Sequence, residues 1–321
     1  MRVLIAHNYY SGSAPSGENN VVDSEVQALR DYGVKVELFA TDSTALKANG
    51  VVRHSVAGLG YIWNIQTYFH FRRLVRKFRP QLVHAHNIFP RLSPSIFYAT
   101  SDIPCVMTVH NYRMFCAHPT LTLKDQLCTQ CLERRSALPG LLNGCYQGSR
   151  VRTLPLSSSI ALHRLLGTWT RRMAGFICLN DYQKQWLVRS GIPEKRIFVK
   201  PNLSPEIKSR NKNGDRKQRV IYIGRLSKEK GVDFLVKTWI EYSTQLPELL
   251  LVGSGELSEE LIKLLNNNKL AKVKLIGKKS REEVLAILQS STLMVLPSRA
   301  VEGYPVVLAE AFSAGVPVVV S

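Results

Sequence analysis

The segment LMVLPSRAVEGYPVVLAEAFSAGVPVVV, residues 293–320, decides the fold. Its first apolar residues predict a buried strand. Pro305 is expected at the first position of a helix, and Gly315 is expected to end that helix before a second apolar strand. A strand, a helix and a strand in this order form the repeating unit of a parallel sheet covered by helices.

The same alternation recurs through the rest of the chain. Other strand candidates are RVLIAH (2–7), VKVELFAT (34–41), QLVHAHN (81–87), PCVMTVHN (104–111), GFICLN (175–180), RIFVKPN (196–202), RVIYIGR (219–225), ELLLVGSG (248–255) and VKLIGK (273–278). We therefore predict an α/β protein with two Rossmann-like domains whose parallel sheets face a central cleft. The predicted parts are a first domain at 1–203 with a Cys-rich insert at 113–150, a polar linker at 204–218 and a second domain at 219–321.

Charge sets this chain apart from an average soluble protein. Lys and Arg number 43 against 24 Asp and Glu, which gives a net charge of +19 and a pI near 9.8. Such a chain is expected to meet a polyanion: nucleic acid, anionic lipid or a phosphorylated substrate. The sequence has no recognised nucleic-acid motif, which disfavours the first of these. It also has no apolar run long enough for a signal-peptide core or a membrane span, so we expect a cytoplasmic protein.

Two carboxylates mark the closing segment. Glu302 is placed in the loop that follows a predicted strand, and Glu310 on the second turn of the next helix. Ligands bind at the carboxyl ends of parallel strands, and a carboxylate accepts several hydrogen bonds from vicinal hydroxyls such as those of a sugar and a ribose. The alternative is that Glu302 interacts with the helix dipole and Glu310 is solvated.

The loop GRLSKEKG, residues 224–231, places Arg225 and Lys230 between a predicted strand and a predicted helix. A helix N-terminus beside a guanidinium and an ammonium group is suited to a diphosphate. The alternative is a basic surface turn. GSGE at 253–256 repeats the arrangement of strand, glycine loop and helix at the next strand.

In the first domain, polar residues follow the predicted strands. His86 and His110 each end a strand candidate, where a site is expected, although single histidines are often structural. The loop after the first strand carries Gly12 and Gly17, whose spacing is not that of GxGxxG. The sequence therefore gives little support to an NAD site.

Together these residues resemble the retaining GT-B glycosyltransferases of the GT4 family. GRLSKEKG matches that family's Gly-Arg-Leu and Glu-Lys-Gly segment, and the closing segment matches its Glu-x7-Glu segment. In the first half, the similarity lies in the glycine loop at 11–17, HAHN (84–87), TVHNYR (108–113) and residues 178–202. The resemblance thus extends over nearly the whole chain.

The resemblance implies a role for each matching residue. Arg225 and Lys230 would contact the donor diphosphate, Glu302 the donor sugar, Glu310 the ribose and His110 the donor sugar from the first domain. The catalytic set so implied is His110, Glu302, Arg225 and Lys230. The donor-binding set is Gly17, Gly224, Arg225, Lys230, Gly253, Ser254, Gly277, Glu302, Gly303, Tyr304 and Glu310. The acceptor-side set is Asn8, Gly12, His86 and Asn87.

The implied function is transfer of a hexosyl group, with retention, from a UDP-sugar or GDP-sugar to a glycan or lipid-linked acceptor in cell-surface polysaccharide biosynthesis. No catalytic metal is expected, because cationic side chains and a helix N-terminus stabilise the departing nucleotide. A GT-B nucleotide-sugar 2-epimerase is the alternative. The family continues beyond the strand VPVVVS, so we also expect an incomplete second domain, and an inactive truncated homologue is a further alternative.

Four cysteines of the insert have metal-like spacing. Cys116, Cys128, Cys131 and Cys145 follow the pattern C-x11-C-x2-C-x13-C. Four thiolates suit a structural zinc ion that would hold a long loop together. Free thiols and disulfides are the alternatives.

The segment 62–80 predicts a basic amphipathic helix with Phe71, Leu74, Val75 and Phe78 on one side and five basic residues beside them. Such a helix suits an anionic membrane surface, so we expect peripheral association with the inner membrane face. The alternative is a helix whose apolar side faces the core.

Overall fold

A computed structural model of the chain describes residues 1–10, 17–42, 58–202, 216–268 and 271–321. The described residues form two compact units. Unit 1 comprises Met1–Leu123 and Cys128–Pro201, and unit 2 comprises Lys124–Leu127 and Asn202–Ser321. The predicted Gly12 and most of the predicted linker lie outside the described residues.

Unit 1 contains a six-stranded sheet. Its strands pair in the order β2-β1-β3-β4-β7-β8, and every pairing is parallel. The strands of the first part of the chain are β1 (Arg2–Tyr9), β2 (Lys35–Asp42), β3 (Leu82–Ala85), β4 (Cys105–Thr108), β5 (Thr122–Leu123), β6 (Gln126–Leu127), β7 (Gly175–Cys178) and β8 (Ile197–Val199). The chain reverses its direction of progress between β1 and β3, so the switch point at which α/β sheets bind ligands lies there.

Helices connect these strands. They are α1 (Gly17–Asp31), α2 (Ile65–Phe78), α3 (Gln130–Glu133), α4 (Leu138–Leu142), α5 (Arg150–Leu165) and α6 (Asp181–Arg189). Asn64 is the N-cap of α2 and Asn180 is the N-cap of α6. Each side chain accepts a hydrogen bond from the backbone N–H three residues later. These caps satisfy donors that the first helical turn leaves unpaired, which fixes where both helices start.

Unit 2 contains a five-stranded parallel sheet in the order β11-β10-β9-β12-β13. Its elements are β9 (Lys217–Ile223), α7 (Val232–Glu241), β10 (Glu248–Val252), α8 (Ser258–Asn266), β11 (Val273–Gly277), α9 (Arg281–Gln289), β12 (Ser291–Leu296), α10 (Val306–Ser313) and β13 (Val318–Val320). Separate apolar clusters cover its two faces, one under α7 and α8 and the other under α9 and α10. The switch point of this sheet lies between β9 and β12.

The two sheets confirm the predicted α/β class with Rossmann-like domains. Gly315 follows α10 with φ of +64°, as expected for a glycine that ends a helix. The start of α10 differs by one residue from the prediction. Pro305 keeps an extended backbone with ψ of 129°, so it precedes the helix, which begins at Val306.

Glycine positions in unit 2 yield a stability prediction. Gly231 and Gly277 have φ of +66° and +71°. A Cβ on Gly231 would lie 1.9 Å from the Pro297 carbonyl oxygen, whereas one on Gly277 would have no atom of the described residues within 4 Å. Gly277→Ala should therefore cost only the left-handed backbone, about 1 kcal/mol. We expect Gly231→Ala to cost at least about 2 kcal/mol more, because the backbone must move. Urea unfolding measures both, and equal costs would contradict the close contact.

Candidate functional site

Three loops at the carboxyl ends of β9, β10 and β12 meet at the switch point of unit 2. A Cβ on Gly253 would lie 1.9 Å from the Gly224 carbonyl oxygen, and one on Gly255 would lie 2.3 Å from the Leu226 carbonyl oxygen. The backbone N–H of Gly224 donates to Val252 over 3.0 Å. Only glycine permits such approach of backbone to backbone. We call this group of loops the strand-end site of unit 2.

The strand-end site contains an ion pair between the two predicted ligand-binding side chains Lys230 and Glu302. The Lys230 ammonium group pairs with Glu302 Oε1, and the Ser298 hydroxyl donates to the same oxygen over 2.6 Å. Each ion-pair side chain is only 26% exposed. The two residues are 72 positions apart in sequence and are brought together because β9 and β12 are neighbours.

Arg225 lies in the same loop as Lys230 and is more exposed. Its Nη1 lies 3.1 Å from Glu229 Oε1, and the Tyr222 hydroxyl donates to its carbonyl oxygen over 2.7 Å. Burial, together with the charge of Glu302, raises the pKa of Tyr222. That hydroxyl therefore stays protonated and holds the loop as a neutral donor.

Glu310 is a buried carboxylate of α10 and lies 3.6 Å from Arg281 Nε. Burial raises the pKa of Glu310, and the charge of Arg281 partly opposes this shift. A carboxylate with so few partners among the described residues retains hydrogen-bonding capacity for another molecule. Of the other predicted donor residues, Gly303 and Tyr304 lie in the loop before α10, where Asn202 donates to the Tyr304 carbonyl oxygen over 2.7 Å.

At the switch point of unit 1, the predicted acceptor-side residues form hydrogen bonds with one another. The backbone N–H of Asn8 donates to the Asn87 carbonyl oxygen over 2.7 Å, and the Asn87 side chain donates back to the Asn8 carbonyl oxygen over 3.2 Å. Both asparagines are buried. They join β1 to the loop after β3. Gly17 is the exposed first residue of α1.

The two predicted histidines are in contact. His86 Nδ1 lies 3.0 Å from His110 Nε2. Burial, with the neighbouring His7, lowers the pKa of His110 to about 3. Burial and the surrounding histidines hold the pKa of His86 far below its ordinary value. Both imidazoles are therefore neutral near pH 7, so His110 can serve as a hydrogen-bond partner but carries no charge.

Sequence reasoning missed the residues that surround this histidine pair. His84 and Glu25 form a contact of 2.8 Å, and Lys200 lies 3.6 Å from the other oxygen of Glu25. Burial opposes ionisation of Glu25, but His84 and Lys200 outweigh it and lower its pKa. The alternation of side chains along a strand predicts that His84 and His86 share one face. No local signal indicates that Glu25 meets them.

The predicted zinc site is not supported by the arrangement of the cysteines. Cys116, Cys128, Cys131 and Cys145 all lie among the described residues, yet no three of their sulfur atoms lie within 4.8 Å of one another. All four are free thiols. Cys116 and Cys131 hydrogen bond to each other, which, opposed by burial, lowers the pKa of Cys131 to about 7. Ala117 and Ala137 of the insert instead pack with Leu156 and Ile160 of α5.

The apolar side of the basic helix α2, which was predicted to dock on a membrane, faces the core instead. Phe71 and Val75 are buried, so for these residues the core-facing alternative is correct. The side away from the core carries Ile65 and Phe69, 64% and 59% exposed. Arg72, Arg73 and Arg76 line a surface depression with Phe69.

Unit 1 also contains a pocket beside His110. The centres of water-sized molecules can occupy about 50 Å³ of it, and it is partly open to solvent. Apolar and aromatic side chains form most of its wall, and Arg113 lies 4.3 Å above the ring of Phe89. Polar groups reach it from Asn111 and Ser159.

Within the described part of the chain, no helix has both the length and the apolar character that a membrane crossing requires.

Family models match both halves of the chain. The model described as Glycosyltransferase Family 4 matches residues 15–203, and the model described as Glycosyl transferases group 1 matches residues 204–321. The amylovoran biosynthesis glycosyltransferase AmsD of Erwinia amylovora is 32% identical over 149 residues, a match that covers 44% of this chain and 42% of AmsD. The chain thus spans well under half of that relative.

Two longer matches agree with this result. The alpha-monoglucosyldiacylglycerol synthase of Acholeplasma laidlawii is 23% identical over 291 residues, which cover 88% of this chain and 68% of the synthase. The pneumococcal O-GlcNAc transferase GtfA, solved in complex with UDP and GlcNAc, aligns with a TM-score of 0.65 at 13% identity over 100% of this chain and 83% of GtfA. The latter similarity concerns the fold alone.

Burial of Glu310 predicts a pH-dependent cost in stability. Its pKa is raised from the ordinary 4.5, so the ionised carboxylate destabilises the folded chain above the raised pKa and costs nothing below about pH 4.5. Glu310→Gln should therefore increase the free energy of unfolding near pH 7, and the gain should disappear as the pH falls. Urea unfolding across this pH range measures it. The exposed Glu282→Gln on the neighbouring α9 is the control, and a gain at pH 7 that persists in acid would contradict burial as the cause.

Proposed function

The chain belongs to glycosyltransferase family 4, and from this premise we propose that it transfers a hexosyl group from a UDP-sugar to a glycan or lipid-linked acceptor, with retention of the anomeric configuration. The relatives AmsD and the Acholeplasma synthase are a polysaccharide and a glycolipid enzyme by name. The UDP complex of GtfA supports UDP over GDP as the nucleotide.

The observation that carries the proposal is the strand-end site of unit 2. It gathers Lys230, Glu302 and Arg225 beside the N-terminus of α7. A helix N-terminus attracts phosphate oxygens, and an ammonium and a guanidinium group add charge-assisted hydrogen bonds. A diphosphate there would compete with Glu302 for Lys230. The carboxylate of Glu302 would then accept hydrogen bonds from sugar hydroxyls, as Glu310 would from the ribose.

The reaction needs one bond exchange. The bond between the anomeric carbon and the diphosphate oxygen breaks, and a bond to the acceptor oxygen forms on the same face. The acceptor proton passes to the departing phosphate oxygen. Lys230 and Arg225 stabilise the negative charge that develops on the diphosphate, which is the largest contribution that such a site can make. Neutral His110 would hydrogen bond to a sugar hydroxyl.

The pocket of unit 1 suits the acceptor. Its wall is mostly apolar and aromatic, with Arg113 as a cation beside Phe89. A sugar ring packs against aromatic faces, and an acceptor linked through a phosphate would pair with a guanidinium group. We therefore propose that a glycolipid or lipid-linked saccharide binds at the opening of this pocket, with its reacting hydroxyl toward His110.

A lipid-linked acceptor would require contact with a membrane. The outer side of α2 offers Arg73 and Arg76 for anionic headgroups and Phe69 and Ile65 for the interface. Basic side chains near an anionic leaflet contribute about 1 kcal/mol each. We propose peripheral association with the inner membrane face through this surface.

Nucleotide binding tests the proposed function. In calorimetry we expect the chain to bind UDP more tightly than GDP. Lys230→Ala should weaken UDP binding roughly 10- to 100-fold, because a charge-assisted hydrogen bond contributes about 1.5–3 kcal/mol. Glu310→Ala should also weaken it, through loss of the ribose contacts.

The matched control is Lys237→Ala, which removes an exposed ammonium group from α7 and should leave the affinity unchanged. Equal UDP affinities of the wild type and Lys230→Ala would show that the diphosphate does not bind at this site. Incubation of the chain with UDP-glucose separates transfer from epimerisation: transfer needs an added acceptor, whereas a changed sugar configuration without one would identify an epimerase.

Membrane association is tested with vesicles that contain phosphatidylserine. Arg73→Ala combined with Arg76→Ala should lower vesicle affinity roughly 30-fold, which corresponds to about 2 kcal/mol for two basic residues. Lys237→Ala combined with Lys263→Ala, which removes the same charge from exposed positions of unit 2, should have little effect. Equal losses in both double variants would mean that net charge, and not α2, attracts the chain to the lipid.

A further inference from the structure

Three side chains of unit 1 direct one ligand atom each toward a common point. Glu25 Oε1 lies 2.8 Å from His84 Nδ1 and 3.9 Å from His86 Nε2, and all three atoms lie within 4.8 Å of one another. Two imidazoles and a carboxylate are a ligand set that zinc sites use. We propose that Glu25, His84 and His86 bind a divalent transition-metal ion such as Zn²⁺. This proposal does not depend on the proposed function.

The atoms of these side chains that do not face the common point all have partners. His84 Nε2 lies 2.8 Å from the Thr108 hydroxyl, and His86 Nδ1 lies 3.0 Å from His110 Nε2. Lys200 Nζ lies 3.6 Å from Glu25 Oε2. Metal-binding histidines and carboxylates characteristically have such outer partners, which orient the ring and fix its tautomer. Each of the three candidate ligands is therefore oriented by a different neighbour.

The second observation is an atom that lacks a partner. The His86 side chain is completely buried, and its Nε2 makes no hydrogen bond to any residue that the structure describes. It points instead at the carboxylate of Glu25 from 3.9 Å, which is too far for a hydrogen bond. An unpaired polar atom in the interior costs free energy, and a metal ion between His86 and Glu25 would satisfy it.

The chemistry of the three ligands selects the metal. Imidazole nitrogen favours Zn²⁺, Cu²⁺, Ni²⁺ and Co²⁺ over Mg²⁺ and Ca²⁺, which prefer oxygen. Glu25 is 12% exposed, and Lys200, which is half exposed, contacts only the oxygen that faces away from the histidines. Water can therefore approach as a fourth ligand from the side of Glu25.

A metal on His86 would also determine where protons lie on its neighbour. Metal at Nε2 leaves the imidazole proton on Nδ1, which then donates to His110 Nε2. The proton of neutral His110 must in that case lie on its Nδ1. The metal thus turns the outer nitrogen of His110 into a hydrogen-bond donor without changing the charge of either ring.

Cobalt titration tests the site, because Co²⁺ occupies zinc sites and its visible spectrum reports the ligands. We expect one Co²⁺ per chain, displaced by Zn²⁺, with visible ligand-field bands and without the near-ultraviolet charge-transfer band that thiolate ligands produce. Glu25→Gln should abolish this binding. Thr108→Val, which removes only the outer partner of His84, should weaken it roughly 10- to 100-fold.

His70→Gln is the control, since it removes an exposed histidine of α2 and should change nothing. Thermal melting establishes that each variant is folded. The proposal is overturned if the wild type binds no Co²⁺, if Glu25→Gln binds it unchanged, or if a sulfur charge-transfer band shows that the cysteines of the insert are the ligands. If Glu25→Gln does not fold, Thr108→Val and the wild-type spectrum test the proposal in its place.

Discussion

The contact on which unit 2 depends is one between backbones. Gly253 lies against the Gly224 carbonyl oxygen and Gly231 against that of Pro297, at distances where any Cβ would overlap oxygen. These contacts hold the loops after β9, β10 and β12 rigidly against one another. The charged side chains of the strand-end site project from these loops. Their mutual geometry is therefore set by glycine positions that carry no chemistry of their own.

The burial of charged groups at and beside the strand-end site lowers the stability of the folded chain. Lys230 and Glu302 are largely withdrawn from water and compensate each other, whereas Glu310 is buried beside an arginine 3.6 Å away. A buried carboxylate with a raised pKa destabilises the folded chain at neutral pH. Such groups concentrate where a ligand is bound, because a ligand supplies the hydrogen bonds that the fold withholds. In the proposed function, the ribose of the nucleotide would supply these hydrogen bonds to Glu310.

The sequence predicted most of the fold, because alternating apolar runs and amphipathic stretches are local signals. It also predicted that Lys230 and Glu302 follow strands whose ends meet at a switch point, where the two side chains form an ion pair; their role in binding a ligand stays a prediction. It could not predict that Glu25 meets His84, because that pair depends on helix placement over a long separation in sequence. For α2, periodicity identified an apolar side but could not distinguish core from lipid. For the cysteines, spacing gave a count of ligands but no geometry.

The two units share one topological feature but differ in the chemistry of the residues placed there. Each places its polar residues at the carboxyl ends of the two strands that flank the switch point, β9 and β12 in unit 2 and β1 and β3 in unit 1. In unit 2 this position has Lys230 and Arg225, whose positive charges suit an anion. Unit 1 has His86 after β3 and His110 after the neighbouring β4, both neutral near pH 7, and Glu25 contacts His84 and Lys200. A metal ion held by Glu25, His84 and His86 would act on His110 through His86, whose Nδ1 lies 3.0 Å from His110 Nε2.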